Sequence, residues 1–402
     1  MSISVFVPDA HARACVAAIR SLGRAGYNVH AGSSNFDALG LKSRFANHSV
    51  VYPPFIDPLF LDWMRDYVAR HDIKMIVPTS AVLEALKPSF EEFKPLLPVT
   101  ADEKVLFDCF SKSTIVSKFI NADPALNLMK NHPQSSVVDL TKPIDFRVLP
   151  KSKTGYYLKS EKLRPHGSES ATSFAFAENG KRALAALNSM ASDWEFALVQ
   201  EACSGFQVGV SVLIDNGKVL AVSCVRDCHQ RPHSRGTMSL RQSCWFPEIA
   251  DDTINRLSYL NWQGCAMGEY RYDESTHTFK LIEINFRFWQ YLHLDLFARM
   301  DYPLMQAQWF LEGKSYFDTR PKLGVVCRDT WPGEVAQLVN EWRRDDFSLF
   351  SKIQSFFMFF VRSLNPYIRS DFFFPGDRTL YFQNFVYYLK SELNALYARL
   401  KK

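Results

Sequence analysis

The residues best suited to chemistry in this chain lie in Cys265–Leu294, CAMGEYRYDESTHTFKLIEINFRFWQYLHL. Two short apolar, β-prone runs, Ala266–Tyr272 and Phe279–Ile284, flank Asp273-Glu274-Ser275-Thr276-His277 and read as a hairpin. Glu283 and Asn285 are two apart on the second strand, so the strand period puts both on one face. The hairpin folds Glu269 back beside them. Three oxygen donors then converge with no histidine or cysteine among them. Such a set suits magnesium, which takes a few carboxylates and leaves its other positions to water and phosphate oxygens.

The run Glu283-Ile284-Asn285-Phe286-Arg287-Phe288-Trp289, preceded by a strand ending in Gly268-Glu269-Tyr270, resembles the metal-binding hairpin of the ATP-grasp superfamily, whose usual text is close to E-I-N-P-R-F-W. The resemblance implies that Glu269, Glu283 and Asn285 hold two magnesium ions, with manganese able to substitute, against the phosphates of ATP. It implies that Arg287 faces the γ-phosphate and the reacting carboxylate. Phe286 stands where the family has proline.

Other stretches resemble the same family at matching places. Lys112, in Ser111-Lys112 within a helical pattern over Val105–Ile120, falls where relatives carry Asp-Lys, the lysine reaching nucleotide phosphates. Lys159 ends the strand Tyr156–Lys159 and matches the lysine of the α- and β-phosphates. The loop Arg164–Ser170 matches the phosphate-covering loop, but with one glycine, so Ser168 and Ser170 stand in for the usual amide cradle. Phe196–Gly205 resembles the hinge V-Q-E-x-x-x-G, implying that Gln200, Glu201, Ala202 and Cys203 border the adenine and that backbone groups from Glu201 to Cys203 read its edge. Gln207 takes the place of a ribose-binding Glu. Arg226, at the head of Arg226–Pro232 and followed by Ser234-Arg235-Gly236-Thr237, matches an arginine that meets phosphate or the substrate carboxylate, a task for a planar fork of donors.

The elements that must position these residues follow from periodicity. An apolar strand Ile3–Val7, an Ala-rich helix from about His11 to Arg24 closed by Gly26, and a strand around Asn28–Ala31 make a βαβ beginning. Its first turn, Pro8-Asp9-Ala10-His11, contains no glycine, so the dinucleotide fingerprint is absent and a nicotinamide cofactor is not expected. A helix near Asp57–His71, a strand Lys74–Pro78 and a helix from Ser80 to about Phe93 complete a small doubly wound unit, and Lys94–Pro98 marks its end. Asp215-Asn216-Gly217 between apolar runs signals a tight hairpin over Val208–Val225. Helices are expected over Lys181–Met190, Asp251–Leu260 and Ala298–Leu311. Beyond Tyr316 phenylalanines crowd Phe347–Phe360 and Phe372–Phe374, and Phe382, Phe385, Val386, Leu389, Leu393, Leu396, Tyr397 and Leu400 recur at helical spacing.

The fold expected is α/β with α+β lobes. A pre-ATP-grasp, Rossmann-like domain occupies 1–104, a two-lobed ATP-grasp domain 105–315 with its hinge near 200–205, and an aromatic-rich, largely helical C-terminal extension 316–402.

Composition bounds the function classes. The chain has 402 residues, 47% hydrophobic and 22% charged, which is globular. The net charge of +5 is spread along it, so nucleic acid is not an expected partner, while a phosphate-bearing substrate suits. No charged-then-apolar leader and no membrane span is present, and the eight cysteines contain no CxxC pair, so the expected location is the cytoplasm. Cys224, Cys228, His229 and His233 invite a zinc reading, although Cys-x3-Cys is a loose zinc spacing and Cys224 ends a strand.

The function expected is that of an ATP-dependent ligase. It activates a carboxylate as an acyl phosphate and couples it to an amine, releasing ADP and phosphate. The partners expected are small-molecule acids and amines, including sugars or amino acids, and a second copy of the chain as a homodimer. An acid-thiol ligase, a carboxylase, or a nucleotide-binding scaffold without turnover fits the same residues. The tail helix, with Lys390, Arg399, Lys401 and Lys402, must bury its apolar stripe on its own domain, on a second subunit, or on a membrane surface.

Overall fold

The computed structural model describes residues 2–164, 173–229, 238–345 and 347–400, without the side chains of residues 395, 396 and 398–400. Ser168 and Ser170 of the expected phosphate loop, Gln230–Thr237 with His233 and Arg235, the side chains of Leu396, Arg399 and Leu400, and the terminal Lys401 and Lys402 lie outside the described residues.

The chain opens with four parallel strands, β1 (Ser4–Val7), β2 (Asn28–Ser33), β3 (His48–Val51) and β4 (Ile73–Ile76), in the order β3-β2-β1-β4. Parallel neighbours need a crossover, and helix α1 (Arg13–Arg24) supplies the first. Small and aliphatic residues let α1 bury all of Cys15–Leu22. Gly26, at φ +92°, closes it where a side chain would strain the left-handed turn.

Two further sheets follow. The first is antiparallel, in the order β5-β8-β6-β7, from β5 (Ser135–Asp139), β6 (Tyr156–Leu163), β7 (Phe174–Ala177) and β8 (Trp194–Glu201). The second has seven strands in the order β13-β12-β9-β10-β11-β14-β15: β9 (Phe206–Asp215), β10 (Lys218–Asp227), β11 (Leu240–Cys244), β12 (Gly264–Asp273), β13 (Thr278–Asn285), β14 (Val326–Arg328) and β15 (Ile368–Ser370). Asn216 and Gly217 both take positive φ between β9 and β10, the paired left-handed turn that Asn-Gly favours. The two sheets join at 202–205. Gly205 is required there: its φ is +95°, and a Cβ would lie 2.1 Å from the Tyr272 carbonyl oxygen.

Two expected helices are interrupted. Over Val105–Ile120 the helix stops at Phe110 and restarts as α2 (Lys112–Ile120), because extended Ser111 (ψ 112°) caps the new start, accepting from the Thr114 N–H at 3.2 Å. Over Ala298–Leu311 a turn through Arg299 (φ +68°) intervenes, and the helix begins at Tyr302 with Asp301 as its cap.

The segment beyond residue 316 is woven into the rest, since β14 and β15 extend the seven-stranded sheet. Buried ion pairs pin it: Arg20 Nε donates to Asp377 at 2.9 Å, and Arg241 pairs with Asp371. Its long helices are α3 (Leu349–Leu364) and α4 (Thr379–Leu400).

Candidate active site

The carboxylates converge because β12 and β13 pair in a specific register, with Glu269 opposite Glu283 and Met267 opposite Asn285. The next pair is Tyr270 with Leu281, so Ile282 is an extra residue in β13. This bulge resets the alternation: Leu281 and Phe279 go to the core with Tyr270, while Glu283 and Asn285 stay on the face of Glu269. Gln207 enters from β9, where it pairs with Arg271, and its Nε2 donates to Glu269 Oε1. An ionised Glu269 can only accept, and the amide nitrogen is the group that faces it. That leaves Gln207 Oε1 buried and without a partner.

Two cations close on Glu283, and a third reaches it through Asn285. Lys159 reaches across from β6, its Nζ 3.3 Å from Glu283 Oε2 and 3.4 Å from the Ile282 carbonyl oxygen. Lys112 Nζ lies 3.1 Å from the same Glu283 oxygen. Asn285 Nδ2 donates to Glu283 Oε1 at 3.1 Å, and Arg287 Nη2 donates to Asn285 Oδ1 at 3.2 Å. Lys112 is placed by a residue that sequence reasoning passed over. Glu161, two positions from Lys159 on the same face of β6, accepts from the backbone N–H groups of Lys112 at 2.6 Å and Ser113 at 3.1 Å, and from the hydroxyls of Ser111 and Ser113. A carboxylate at a helix N-terminus satisfies otherwise orphaned donors. The i, i+2 pair Lys159/Glu161 beside a Ser-Lys-Ser-Thr helix start was the available signal.

This crowding sets the protonation states. Burial, then the neighbouring charge of Glu283, pushes the Glu269 carboxyl up from an ordinary 4.5 to about 7. Burial would also raise Glu283, but the charge of Lys159 and then of Lys112 overcomes it and holds Glu283 well below the ordinary carboxylate range. Burial pulls the Lys159 ammonium down, against Glu283.

Arg226 does not join the cluster. It pairs with Val208 on β9 whereas Glu269 pairs with Gly209, and residues opposite each other share a face, so Arg226 and Glu269 lie on opposite faces of the sheet. Arg226 Nε instead donates to Gln242 Oε1 at 3.1 Å. The hinge also differs in detail from the expectation. The N–H groups of Glu201 and Ala202 are engaged by the carbonyls of Gln134 and Gly155, and the Ala202 carbonyl accepts from the Thr154 hydroxyl. Gln200 is buried inside β8, and the Glu201 carboxylate accepts from the Gln134 N–H at 3.0 Å. A cleft of about 500 Å³ opens beside Cys203 and Ser204, with Thr154, Arg271 and Lys280 on its walls. A second cleft, about 550 Å³, lies at the carboxyl ends of β1 and β4, where His11, Arg13, Thr79 and Ser80 face Arg287. The ends of parallel strands are where open α/β sheets take ligands.

Glu269, Glu283 and Asn285 are hard oxygen donors, the chemistry magnesium requires. Among the described residues no cluster of three or more His, Cys, Asp or Glu is placed to hold a metal. Cys224 is in the core, and His229 Nε2 meets Glu334.

No protein-family model and no curated protein matches the sequence. Solved structures do resemble the chain. N5-carboxyaminoimidazole ribonucleotide synthetase in its ADP complex is 11% identical with TM-score 0.60, covering 90% of this chain and 97% of its own. L-amino acid ligase from Bacillus licheniformis is 16% identical with TM-score 0.56, covering 80% and 77%. The biotin carboxylase domain dimer of Hydrogenobacter thermophilus 2-oxoglutarate carboxylase, with MgADP and bicarbonate, is 16% identical with TM-score 0.55, covering 81% and 72%.

Proposed function

The chain has the ATP-grasp fold, and from that premise we propose that it is an ATP-dependent ligase joining a carboxylate to an amine. One observation carries the reading: Glu283 is clamped by Lys112 and Lys159, from two different elements, beside Glu269 and within reach of Arg287 through Asn285. Cations held this close to carboxylates form a set whose partners can be exchanged. With ATP in the site, Lys112 and Lys159 would turn to phosphate oxygens and leave Glu283 free. Glu269, Glu283 and Asn285 would hold magnesium, which when bound offsets the charge that shifts between phosphate oxygens in transfer. The buried, unpartnered Gln207 Oε1 is available to accept from a ribose hydroxyl, and the adenine edge falls to the backbone of Cys203 and Ser204.

The acid substrate sits in the cleft between His11, Arg13 and Arg287, its carboxylate paired with the Arg287 fork. A carboxylate oxygen attacks the γ-phosphorus, the bond from that phosphorus to the β,γ-bridging oxygen breaks, and ADP leaves with the electron pair. The amine nitrogen then attacks the acyl carbon, the carbon–oxygen bond to phosphate breaks, and the nitrogen loses its proton. Lys112, Lys159 and Arg287 act by position and charge, which is most of what phosphoryl transfer asks of a protein. The likeness to an amino acid ligase supports amide formation.

The test is ADP release from ATP and Mg2+ against panels of amino acids, dipeptides and uronic acids. Release that requires both an acid and an amine, and disappears in Glu283→Ala, is expected. Release independent of any acid, or equal in the variant, would reject the reading.

A further inference from the structure

Helix α3 turns its amphipathic faces the wrong way round for a soluble protein. Leu349, Phe350, Ile353, Phe357, Phe360 and Leu364 are all exposed, from 50% at Phe360 to 83% at Leu364. At 3.6 residues per turn these six fall within an arc of about 100°. The opposite side, where polar residues sit beside the half-buried Met358 and Phe359, faces the protein. Ser351, Ser355 and Arg362 are half-buried, Arg362 Nη1 lies 3.9 Å from Glu334, and Arg328 Nη1 donates to the Phe359 carbonyl at 3.3 Å and to Ser363 at 3.0 Å. No residue of α3 is buried. Helix α4 repeats the arrangement: Leu380 and Asn384 are buried, while Phe382, Val386, Leu389 and Leu393, at spacings of four, three and four, are exposed. The inner sides of both helices rest on Trp331, with ring centroids 6.0 Å away at Phe359 and 4.8 Å at Phe385. The two helices of the C-terminal end therefore meet around Trp331, and on α4 Phe382 and Val386 also border a groove of about 580 Å³ shared with Asp37, Leu39 and Lys42.

We propose that this end docks on an anionic lipid surface, with α3 and α4 lying in the interface plane. Charge selects the occupant. Asp371 and Asp377 are fully buried against Arg241 and Arg20, so they leave the surface of this segment to its cations. Arg343, Arg369, Arg378 and Lys390 are exposed there, against Asp345 and Glu392. Two copies joined through this face would bring the same cations together across their symmetry axis, whereas anionic headgroups complement them. Apolar side chains with basic residues beside them are the composition of interfacial helices. No described helix is long and apolar enough to cross a membrane, which is consistent with lying on the surface. A cleft of about 570 Å³ also opens beside α4, between Asn384, Tyr387 and Tyr388 and the first sheet, and it shares His11, Arg13 and Ser34 with the cleft that reaches Arg287. A headgroup held at the lipid surface has a way toward the Arg287 cleft.

The experiment is flotation of the full chain with vesicles of phosphatidylcholine containing about one third phosphatidylglycerol, read beside light scattering. It needs neither ATP nor turnover, so it stands apart from the ligase reading. The wild type floats with these vesicles, and binding falls at least tenfold on pure phosphatidylcholine and at least tenfold for Phe357→Asp/Phe360→Asp. Both residues are exposed, so circular dichroism of the variant stays that of the wild type. A wild type that does not float overturns the proposal. So does a dimer that the double substitution converts to monomer without any vesicle binding, which would make the occupant a second copy. If Phe357→Asp/Phe360→Asp unfolds, Leu364→Asp, at the exposed helix end, decides by the same two readouts.

Discussion

Replacing Glu283 by glutamine should move the affinities for metal-free and metal-bound ATP in opposite directions. Lys159 Nζ is 3.3 Å from Glu283 Oε2, and Lys112 Nζ is 3.1 Å from it. At an effective dielectric constant of about 20, a pair at this distance has a gross attraction of about 5 kcal/mol. For Lys112, whose side chain is 42% exposed, solvent reduces the net value to about 0–1 kcal/mol. For Lys159, 9% exposed, a charge-assisted hydrogen bond is worth about 1.5–3 kcal/mol net. ATP must break these contacts to recruit the lysines, so Glu283→Gln removes that cost, about 1.5–4 kcal/mol in all, and metal-free ATP binds roughly 10- to 1000-fold more tightly. With Mg2+ the order reverses, because the variant lacks one of the two carboxylates that neutralise the ion. Calorimetric titrations with ATP in excess chelator and in Mg2+ give the two affinities, and circular dichroism checks that the variant is folded. Both affinities falling together, or neither changing, would refute the exchange of partners on which the proposed function rests.

Glu269 predicts a pH dependence. With its carboxyl at about 7 in the folded chain against an ordinary 4.5, the native state holds a proton that the unfolded state has lost between these values. Stability therefore falls as pH rises through that window; Glu269→Gln should flatten the slope of Tm against pH from 4.5 to 7, and Mg2+ affinity of the wild type should weaken below pH 7, where the carboxyl keeps its proton. Arg287→Ala should lower kcat/KM for ADP release at least 100-fold, whereas Arg226→Ala, on the other face of the sheet, should stay within about threefold; the reverse ranking would show that the substrate meets Arg226. Glu161→Gln should raise KM for ATP more than it lowers kcat, because it frees the helix start that carries Lys112 without touching the reacting atoms. Equal loss of both would place Glu161 in the chemistry.

How much of this was legible in the sequence depends on how local its cause is. The hairpin that brings Glu269 beside Glu283, the Asn-Gly turn and the βαβ opening follow from periods of two and 3.6 and from turn chemistry, and they are where the sequence puts them. The bulge at Ile282 was not legible. It requires the next strand, because only the register with Tyr270 decides that Leu281 goes to the core while Glu283 stays with Glu269. Arg226 misled for a related reason. A strand-end arginine next to a matching motif says nothing about which face it takes until its partner, Val208, is known. Ser111 was read as a substitution in a motif, when its physical role is to break one helix and cap the next.

The C-terminal helices show the same limit in its sharpest form. Periodicity locates an apolar stripe on a helix but cannot say which side of the helix the rest of the chain will cover. In the sequence, Phe347–Phe360 is a crowd of phenylalanines with no side assigned. The chain covers the side of α3 that carries its polar contacts and Phe359, which packs on Trp331. Arg328 satisfies itself on the Phe359 carbonyl and Ser363, and Arg362 sits near Glu334. With the buried pairs Arg20–Asp377 and Arg241–Asp371 fixing the segment between the two helices, rotating α3 by half a turn would turn its exposed apolar side inward and take the Phe359 carbonyl and Ser363 from Arg328, while Glu334 would keep His229 and Ser239.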